Sequence, residues 1–209
     1  MPDPVPTPSA AGPTAADDPG AAWMLAWQRG DGAAFERLVG AYSGVVYALL
    51  TRFLGPCEGR DDLVQEVFLR VLRARDRYSP TARFTTWLYR IVFNLAVNTT
   101  ERSREHTSLE AQGPHGERQR LLLEVVDDGA PAPDADLARA ELVAAVRAAI
   151  AALPENQRMA LVLAKYHDLP YAEIAEVLGS SEKAVKSLVH RARENLRAAL
   201  IPVLEKEVA

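Results

Sequence analysis

The residues with the most distinctive chemistry lie in segment 171–190, which is rich in side chains that can contact nucleic acid. Its spacing is that of two short helices joined by a tight turn. Ala175 is small enough to let the helices cross closely, and Gly179 can adopt the left-handed conformation that ends the first helix. Ser180 or Ser181 can cap the second helix. An apolar seam would join the two helices through Ile174, Leu178, Val185 and Leu188. This pattern predicts a helix-turn-helix, whose second helix enters the major groove of DNA.

The outer face of that second helix is polar and basic. Such side chains donate hydrogen bonds to phosphates and to base edges. The residues predicted to contact DNA are Ser181, Lys183, Lys186, Ser187, His190, Arg191 and Arg193. An ordinary helical hairpin with a solvated basic face is the alternative. The small residue, the glycine and the apolar seam at these offsets favour DNA binding.

A second segment, residues 78–102, mixes aromatic rings with arginines and amides. Bases of single-stranded DNA stack on rings, and guanidinium and amide groups hydrogen-bond to their edges. Most of the rings are expected to serve the core, since they recur at helical spacing. The candidate DNA contacts are Tyr78, Arg83, Phe84, Trp87, Arg90, Asn94, Asn98 and Arg102.

A third segment, Asp61–Leu72, predicts an amphipathic helix. Its expected core face carries Leu63, Val64, Val67, Phe68, Val71 and Leu72. The other side carries Asp61, Asp62, Gln65, Glu66 and Leu69. Two of these carboxylates share a face, but a metal site would need more ligands, and no histidine is near. A solvated acidic face and a docking surface for a basic partner both remain open.

Charge and composition limit the function classes. The net charge is −4, yet segments 68–104 and 183–197 are basic, and an acidic segment, 110–136, separates them. A single cysteine forbids an internal disulfide and suits the cytoplasm. There is no phosphate-cradling glycine loop and no cysteine-rich metal site, and the four histidines are scattered. The chain is therefore predicted not to be an enzyme and to need neither a metal nor a cofactor.

The predicted fold is all-α, because no stretch alternates apolar and polar residues. Two small helical domains, the C-terminal one a helix-turn-helix, would be joined by a flexible acidic linker. The predicted boundaries are a disordered tail at 1–20, domains at 21–105 and 136–205, and the linker at 106–135. Helices of the first domain are expected at Asp31–Leu54, Asp61–Arg75 and about Thr85–Arg104. Pro154 and Pro170 suit the first position of two helices in the second domain.

Four motifs in fixed order carry a family resemblance. They are Asp61–Phe68, Arg83–Asn94, Leu153–Arg158 and Val185–Leu196. In this order the sequence resembles the extracytoplasmic-function (ECF) group of the sigma-70 family over about residues 23–201. The resemblance implies a sigma factor, which binds core RNA polymerase and directs it to promoters.

The resemblance also implies a role for each segment. The Asp61–Leu72 helix would bind the clamp helices of the polymerase β′ subunit. The Tyr78–Phe84 loop and the helix through Asn98 would capture and melt the −10 element, and the helix from Ser181 would read the −35 element. The implied partners are core RNA polymerase, through the β′ clamp helices and the β flap, promoter DNA and an anti-sigma factor, with no small-molecule substrate. The implied location is the cytoplasm, or the inner membrane when an anti-sigma factor holds the chain there.

Two other functions compete with this interpretation. A stand-alone helix-turn-helix regulator explains the C-terminal motif but leaves segment 61–98 without a role. An enzyme such as a nucleic-acid hydrolase lacks the residues described above. Binding to core polymerase separates the regulator from the sigma factor.

Overall fold

The computed structural model describes residues 18–55, 59–110 and 133–208, and within these ranges all regular structure is helical. The prediction of an all-α fold is confirmed. The α-helices are α1 (Pro19–Gln28), α2 (Gly32–Leu54), α3 (Arg60–Ala74), α4 (Phe84–Glu110), α5 (Pro133–Ala151), α6 (Glu155–Tyr166), α7 (Tyr171–Leu178) and α8 (Glu182–Val208). A 3₁₀ turn at Arg75–Arg77 follows α3. We refer to α1–α4 as the N-terminal half and to α5–α8 as the C-terminal half.

The chain becomes ordered earlier than predicted, so the tail prediction was wrong for residues 18–20. Asp18 caps α1 by accepting a hydrogen bond from the Ala21 N–H, and Pro19 occupies the first helical turn. Gly20 is buried, and a Cβ there would lie 2.4 Å from a ring carbon of Phe84, so a larger residue does not fit. An aspartate followed by proline is a helix-start signal, and the composition of the tail concealed it. Residues 1–17 lie outside the described residues.

The core of the N-terminal half forms between α2 and α4, with α1 and α3 packed on their sides. Its largest fully buried side chains are Met24, Leu38, Leu49, Leu50, Phe53, Phe84 and Leu88. By length and composition alone, α2 could cross a membrane. In this fold its apolar face packs against the other helices of the half.

Several helix limits differ from the predicted ones. Helix α4 continues to Glu110 and α5 begins at Pro133, so the predicted linker is shorter at both ends, and its remaining part, 111–132, lies outside the described residues. Pro154 and Pro170 occupy the N-cap positions of α6 and α7, one residue before the predicted position.

The two halves pack on each other and share one hydrophobic core, which the picture of two linked domains did not predict. Helix α7 lies against α4, and α6 lies against α2. Arg158 of α6 is 4% exposed, and its guanidinium donates to the Phe53 carbonyl of α2 at 2.7 Å. The same guanidinium donates to the carbonyls of Ala151 and Leu153 and lies 4.9 Å from the centre of the Phe53 ring. A buried charge with several acceptors ties the halves together, because losing any acceptor leaves it poorly compensated.

Candidate nucleic-acid interface

The turn between α7 and α8 has the geometry expected of a helix-turn-helix. Gly179 has φ 60° and ψ 40°, the left-handed conformation that glycine adopts without strain. The Ser180 N–H donates to the Ala175 carbonyl at 2.9 Å and so closes the last turn of α7. Of the two candidate caps, Ser181 is the one whose hydroxyl accepts a hydrogen bond, from the Ala184 N–H at 3.2 Å.

The predicted seam between α7 and α8 is present. Ile174 and Val185 are fully buried, and Leu178 and Leu188 are half-buried against the same core. Val189 and Ala192 are also buried and were not among the predicted seam residues. Their spacing from Val185 continues the helical period, and this signal could have identified them.

The seven residues predicted to contact DNA from α8 and its cap are all exposed: Ser181, Lys183, Lys186, Ser187, His190, Arg191 and Arg193. Two of them pair with glutamates on the same helix. Lys186 Nζ is 2.9 Å from Glu182, and His190 Nε2 is 3.3 Å from Glu194. Exposed contacts of this kind are weak, so these side chains remain available to another partner.

The aromatic rings before and within α4 form a cluster. The ring centres of Tyr78 and Trp87 are 4.9 Å apart, and those of Phe84 and Trp87 are 5.6 Å apart. Tyr78 is 6% exposed and Phe84 is fully buried. Burial, with a smaller contribution from the charge of Asp18, raises the pKa of Tyr78. The expectation that Tyr78 and Phe84 contact DNA is corrected for this conformation, because both rings support Trp87 from inside the core.

The remaining candidates on α4, and just before it, lie at its surface. Arg83, Arg90, Asn94, Asn98 and Arg102 are exposed, and Trp87 is half-buried. Helix α7 covers the start of this surface. Glu173 accepts a hydrogen bond from the Thr86 hydroxyl at 2.9 Å, and its other oxygen is 3.6 Å from Arg83 Nε. Neither Thr86 nor Glu173 was a predicted site residue, because nothing in the local sequence indicates a contact between residues 87 positions apart.

A groove of about 610 Å³ lies between the halves. One wall is formed by the 79–82 loop with Thr86, Trp87 and Arg90, and the other by α7 and the start of α8. A Cβ on Gly179 would be 3.9 Å from Arg90 Nη2. The candidate surface on α4 and the helix-turn-helix therefore face each other at contact distance.

A further polar contact between the halves pairs Tyr89 of α4 with His167, the C-cap residue of α6. The Tyr89 hydroxyl and His167 Nδ1 are 3.1 Å apart. Burial raises the pKa of Tyr89 to about 12, so its phenol stays protonated. Burial, reinforced by the positive charge of Arg52, lowers the pKa of His167, although Asp168 acts in the opposite direction. Within the described part of the chain, His167 Nε2 is buried without a hydrogen-bond partner.

The outer face of α3 is acidic at one end and apolar at the other. Asp61, Asp62 and Gln65 are exposed. Glu66 Oε1 is 2.9 Å from Arg70 Nε and 3.4 Å from Arg73 Nη1, and the hydrogen bond from Arg70 lowers the pKa of Glu66. No cluster of metal-binding side chains occurs among the residues that the structure describes.

Leucines complete the same face of α3. Leu69 and Leu72 are 45% and 47% exposed. The prediction that Leu72 belongs to the core was wrong. Val67, Phe68 and Val71 fill the space against α2 and α4, and Leu72 points away from them. Leu72 therefore joins Leu69 as a candidate residue for contact with a partner, although it was predicted to face the core.

Comparison with known families identifies both halves. The family model "Sigma-70 region 2" matches residues 38–105, and "Sigma-70, region 4" matches residues 144–196. The ECF RNA polymerase sigma factor SigW of Bacillus subtilis is 32% identical over 173 residues, which cover 83% of this chain and 92% of that protein. This chain is a sigma factor of the sigma-70 family, in its ECF group.

Other relatives of this sigma factor agree. The ECF RNA polymerase sigma-E factor of Escherichia coli K12 is 33% identical over 187 residues, which cover 86% of this chain and 93% of that protein. CnrH, solved in complex with the cytosolic domain of CnrY, is 27% identical with a TM-score of 0.59, covering 88% of this chain and 97% of that one. The sigma factor RpoE of Bartonella quintana, solved with the anti-sigma factor NepR, is 20% identical, and the match covers 79% of this chain and 96% of that one. Its TM-score of 0.61 shows the same fold.

The half-buried His167, whose Nε2 atom is buried, predicts a pH dependence of stability. Its folded-state pKa lies below the ordinary value of about 6.5, so the unfolded chain takes up the proton first as the pH falls. Its contribution is complete above about pH 6.5 and is lost as the pH falls through the folded-state pKa. In urea titrations between pH 7.5 and 5.5, His167→Gln should flatten this decline. The exposed His190→Gln serves as the control and should leave it unchanged. Equal slopes in wild type and His167→Gln would contradict the assignment.

Proposed function

We propose that this sigma factor binds core RNA polymerase through α3, recognises the −10 element with α4 and the loop before it, and recognises the −35 element with α8. The observation that carries the proposal is the exposed acidic and apolar face of α3, in the same chain as an exposed recognition helix. A stand-alone regulator needs only the second of these surfaces. Family membership supplies the expectation that the two act together.

The face of α3 has the composition of a docking site. Leu69 and Leu72 offer apolar area at one end, and Asp61, Asp62 and Gln65 offer acceptors at the other. A basic, partly apolar helical surface complements such a face, because apolar burial supplies affinity and charge supplies orientation. The β′ clamp helices are the partner that the family resemblance implies. Glu66 is a weaker candidate than its neighbours, since Arg70 and Arg73 already hold its carboxylate.

Substitutions on α3 test the core contact. Leu69→Ala and Asp62→Lys should each weaken binding to core polymerase roughly tenfold, equivalent to about 1.4 kcal/mol, since both sit on an exposed helix face and leave the fold intact. Fluorescence anisotropy with labelled protein measures the affinity. Glu36→Lys, a charge reversal on the exposed side of α2, is the matched control and should bind normally. Wild-type affinity in both α3 variants would exclude this face as the core-binding surface.

The recognition helix also has a direct test. If Arg191 contacts a base edge, Arg191→Ala should cost about 1–3 kcal/mol in discrimination between promoter and mismatched DNA. If Arg191 contacts a phosphate, the variant should instead lower the salt dependence of DNA binding. Holoenzyme binding to duplexes at several salt concentrations separates the two. Arg147→Ala on the exposed face of α5 is the control. No change in either quantity would mean that Arg191 is merely solvated.

Promoter recognition by both halves requires them to separate. By their names the two elements lie about 25 base pairs apart, roughly 85 Å of B-form DNA. In the structure α7 contacts α4 directly, through Glu173, Thr86 and Arg83. Separation of α7 from α4 would free Arg83 and Thr86 to contact a DNA phosphate in place of the Glu173 carboxylate.

We further propose that an anti-sigma factor is the partner that holds the packed arrangement, and that the chain works in the cytoplasm.

A further inference from the structure

One helix holds both ends of the loop that precedes α4. At the far end of the loop, Asp18 Oδ2 accepts a hydrogen bond of 2.6 Å from the Phe84 N–H, the first residue of α4. The other oxygen of the same carboxylate accepts from the Ala21 N–H at 3.2 Å. Asp18 therefore caps α1 and α4 together, and it joins segments 66 residues apart.

The near end of the loop is held by the other end of α1. The Gln28 side-chain amide donates to the carbonyls of Arg75 at 2.6 Å and Tyr78 at 3.0 Å. The Arg75 guanidinium donates in return to the Trp27 carbonyl at 2.7 Å and lies 5.1 Å from the centre of the Trp27 ring. The two ends of α1 thus bracket the loop.

Asp18 is placed for more than ordinary helix capping. Asp18 is only 8% exposed. A buried carboxylate is costly unless donors surround it, and here the N-termini of two helices meet at it, where their dipoles favour a negative charge. The lack of a side chain at Gly20 allows this approach, because a Cβ there would collide with the Phe84 ring.

We propose that Asp18 and Gln28 are positioning residues for recognition of the −10 element. Through them α1 braces both ends of the 78–84 loop and fixes the start of α4, so that the loop is preformed for an unpaired base. The proposal rests on the function proposed above for that loop. Neither residue needs to touch DNA.

An isosteric substitution tests the brace. In Asp18→Asn one oxygen still caps one helix, but the other position carries an amide donor, so either Phe84 or Ala21 loses its acceptor. Exchange of the Phe84 amide proton, followed by NMR, should accelerate at least tenfold if that bond is lost. Holoenzyme affinity for a fluorescent single-stranded −10 oligonucleotide, taken from a promoter that the wild type transcribes in run-off assays, should fall roughly five- to fiftyfold. Affinity for core polymerase should stay within about twofold, since α3 is untouched.

Matched variants separate positioning from general destabilisation. Asp31→Asn changes another N-cap aspartate, whose side chain pairs with the exposed Arg37 and makes no capping hydrogen bond among the residues described, and it should behave as wild type. Gln28→Met retains the length of the side chain and removes its donors at the opposite end of the loop. It should reproduce the loss of strand binding while circular dichroism and core affinity remain normal.

The strand-binding results separate the proposed brace by Asp18 and Gln28 from the proposed recognition of the −10 element. Normal strand binding by both Asp18→Asn and Gln28→Met holoenzymes would overturn the brace. An equal loss in Asp31→Asn would also overturn it, since that loss would reflect stability alone. If the wild-type holoenzyme binds core but not the strand, the proposed −10 function fails. Exchange at the Phe84 amide then still decides whether Asp18 holds the loop.

Discussion

The structure depends on how the N-terminus of α4 is satisfied, because its first N–H groups need hydrogen-bond acceptors from elsewhere in the chain. The first N–H groups of a helix have no partner within it, and this end carries partial positive charge. Two carboxylates from distant parts of the chain meet there. Asp18 accepts the Phe84 N–H from within the N-terminal half, and Glu173 reaches the Thr86 hydroxyl from the C-terminal half. The Asp18 contact holds the loop that precedes α4, and the Glu173 contact holds α7 over the start of α4.

The same arrangement couples the two halves of the sigma factor. Arg158 ties α6 to the end of α2, Tyr89 of α4 contacts His167 at the end of α6, and Glu173 of α7 contacts Thr86 of α4. The Tyr89–His167 and Glu173–Thr86 contacts are hydrogen bonds that water, phosphate or a protein partner can replace at modest cost, whereas the buried Arg158 needs new acceptors when the halves separate. A hydrophobic core spanning both halves favours the packed state, while polar contacts at the α4–α7 boundary make separation feasible.

Local pattern predicted much of the fold and the site. Helical periodicity, Gly179 and a serine cap predicted the helix-turn-helix and its exposed basic face, because the information lies within a few turns of helix. The contacts of Asp18 and Glu173 escaped prediction, since their partners are 66 and 87 residues away. Leu72 was wrongly assigned to the core because its spacing matches the other apolar residues of α3. Only the packing of α3 on its neighbours shows that this edge of the apolar face is exposed. The residue types of Tyr78 and Phe84 suggested contacts with DNA, but both rings are buried in this conformation, which the local sequence does not indicate.

Measurement of the distance between the halves tests the central claim, that α7 must leave α4 when the promoter is bound. Spin labels at Glu36 and Arg197, both exposed, in a Cys57→Ser background would report that distance by electron double resonance. The free protein should give a short, narrow distribution. In the complex with core polymerase and a promoter, the distribution should move to distances that approach the separation of the two elements, roughly 85 Å in B-form DNA. An unchanged short distance in a transcription-competent complex would contradict the claim.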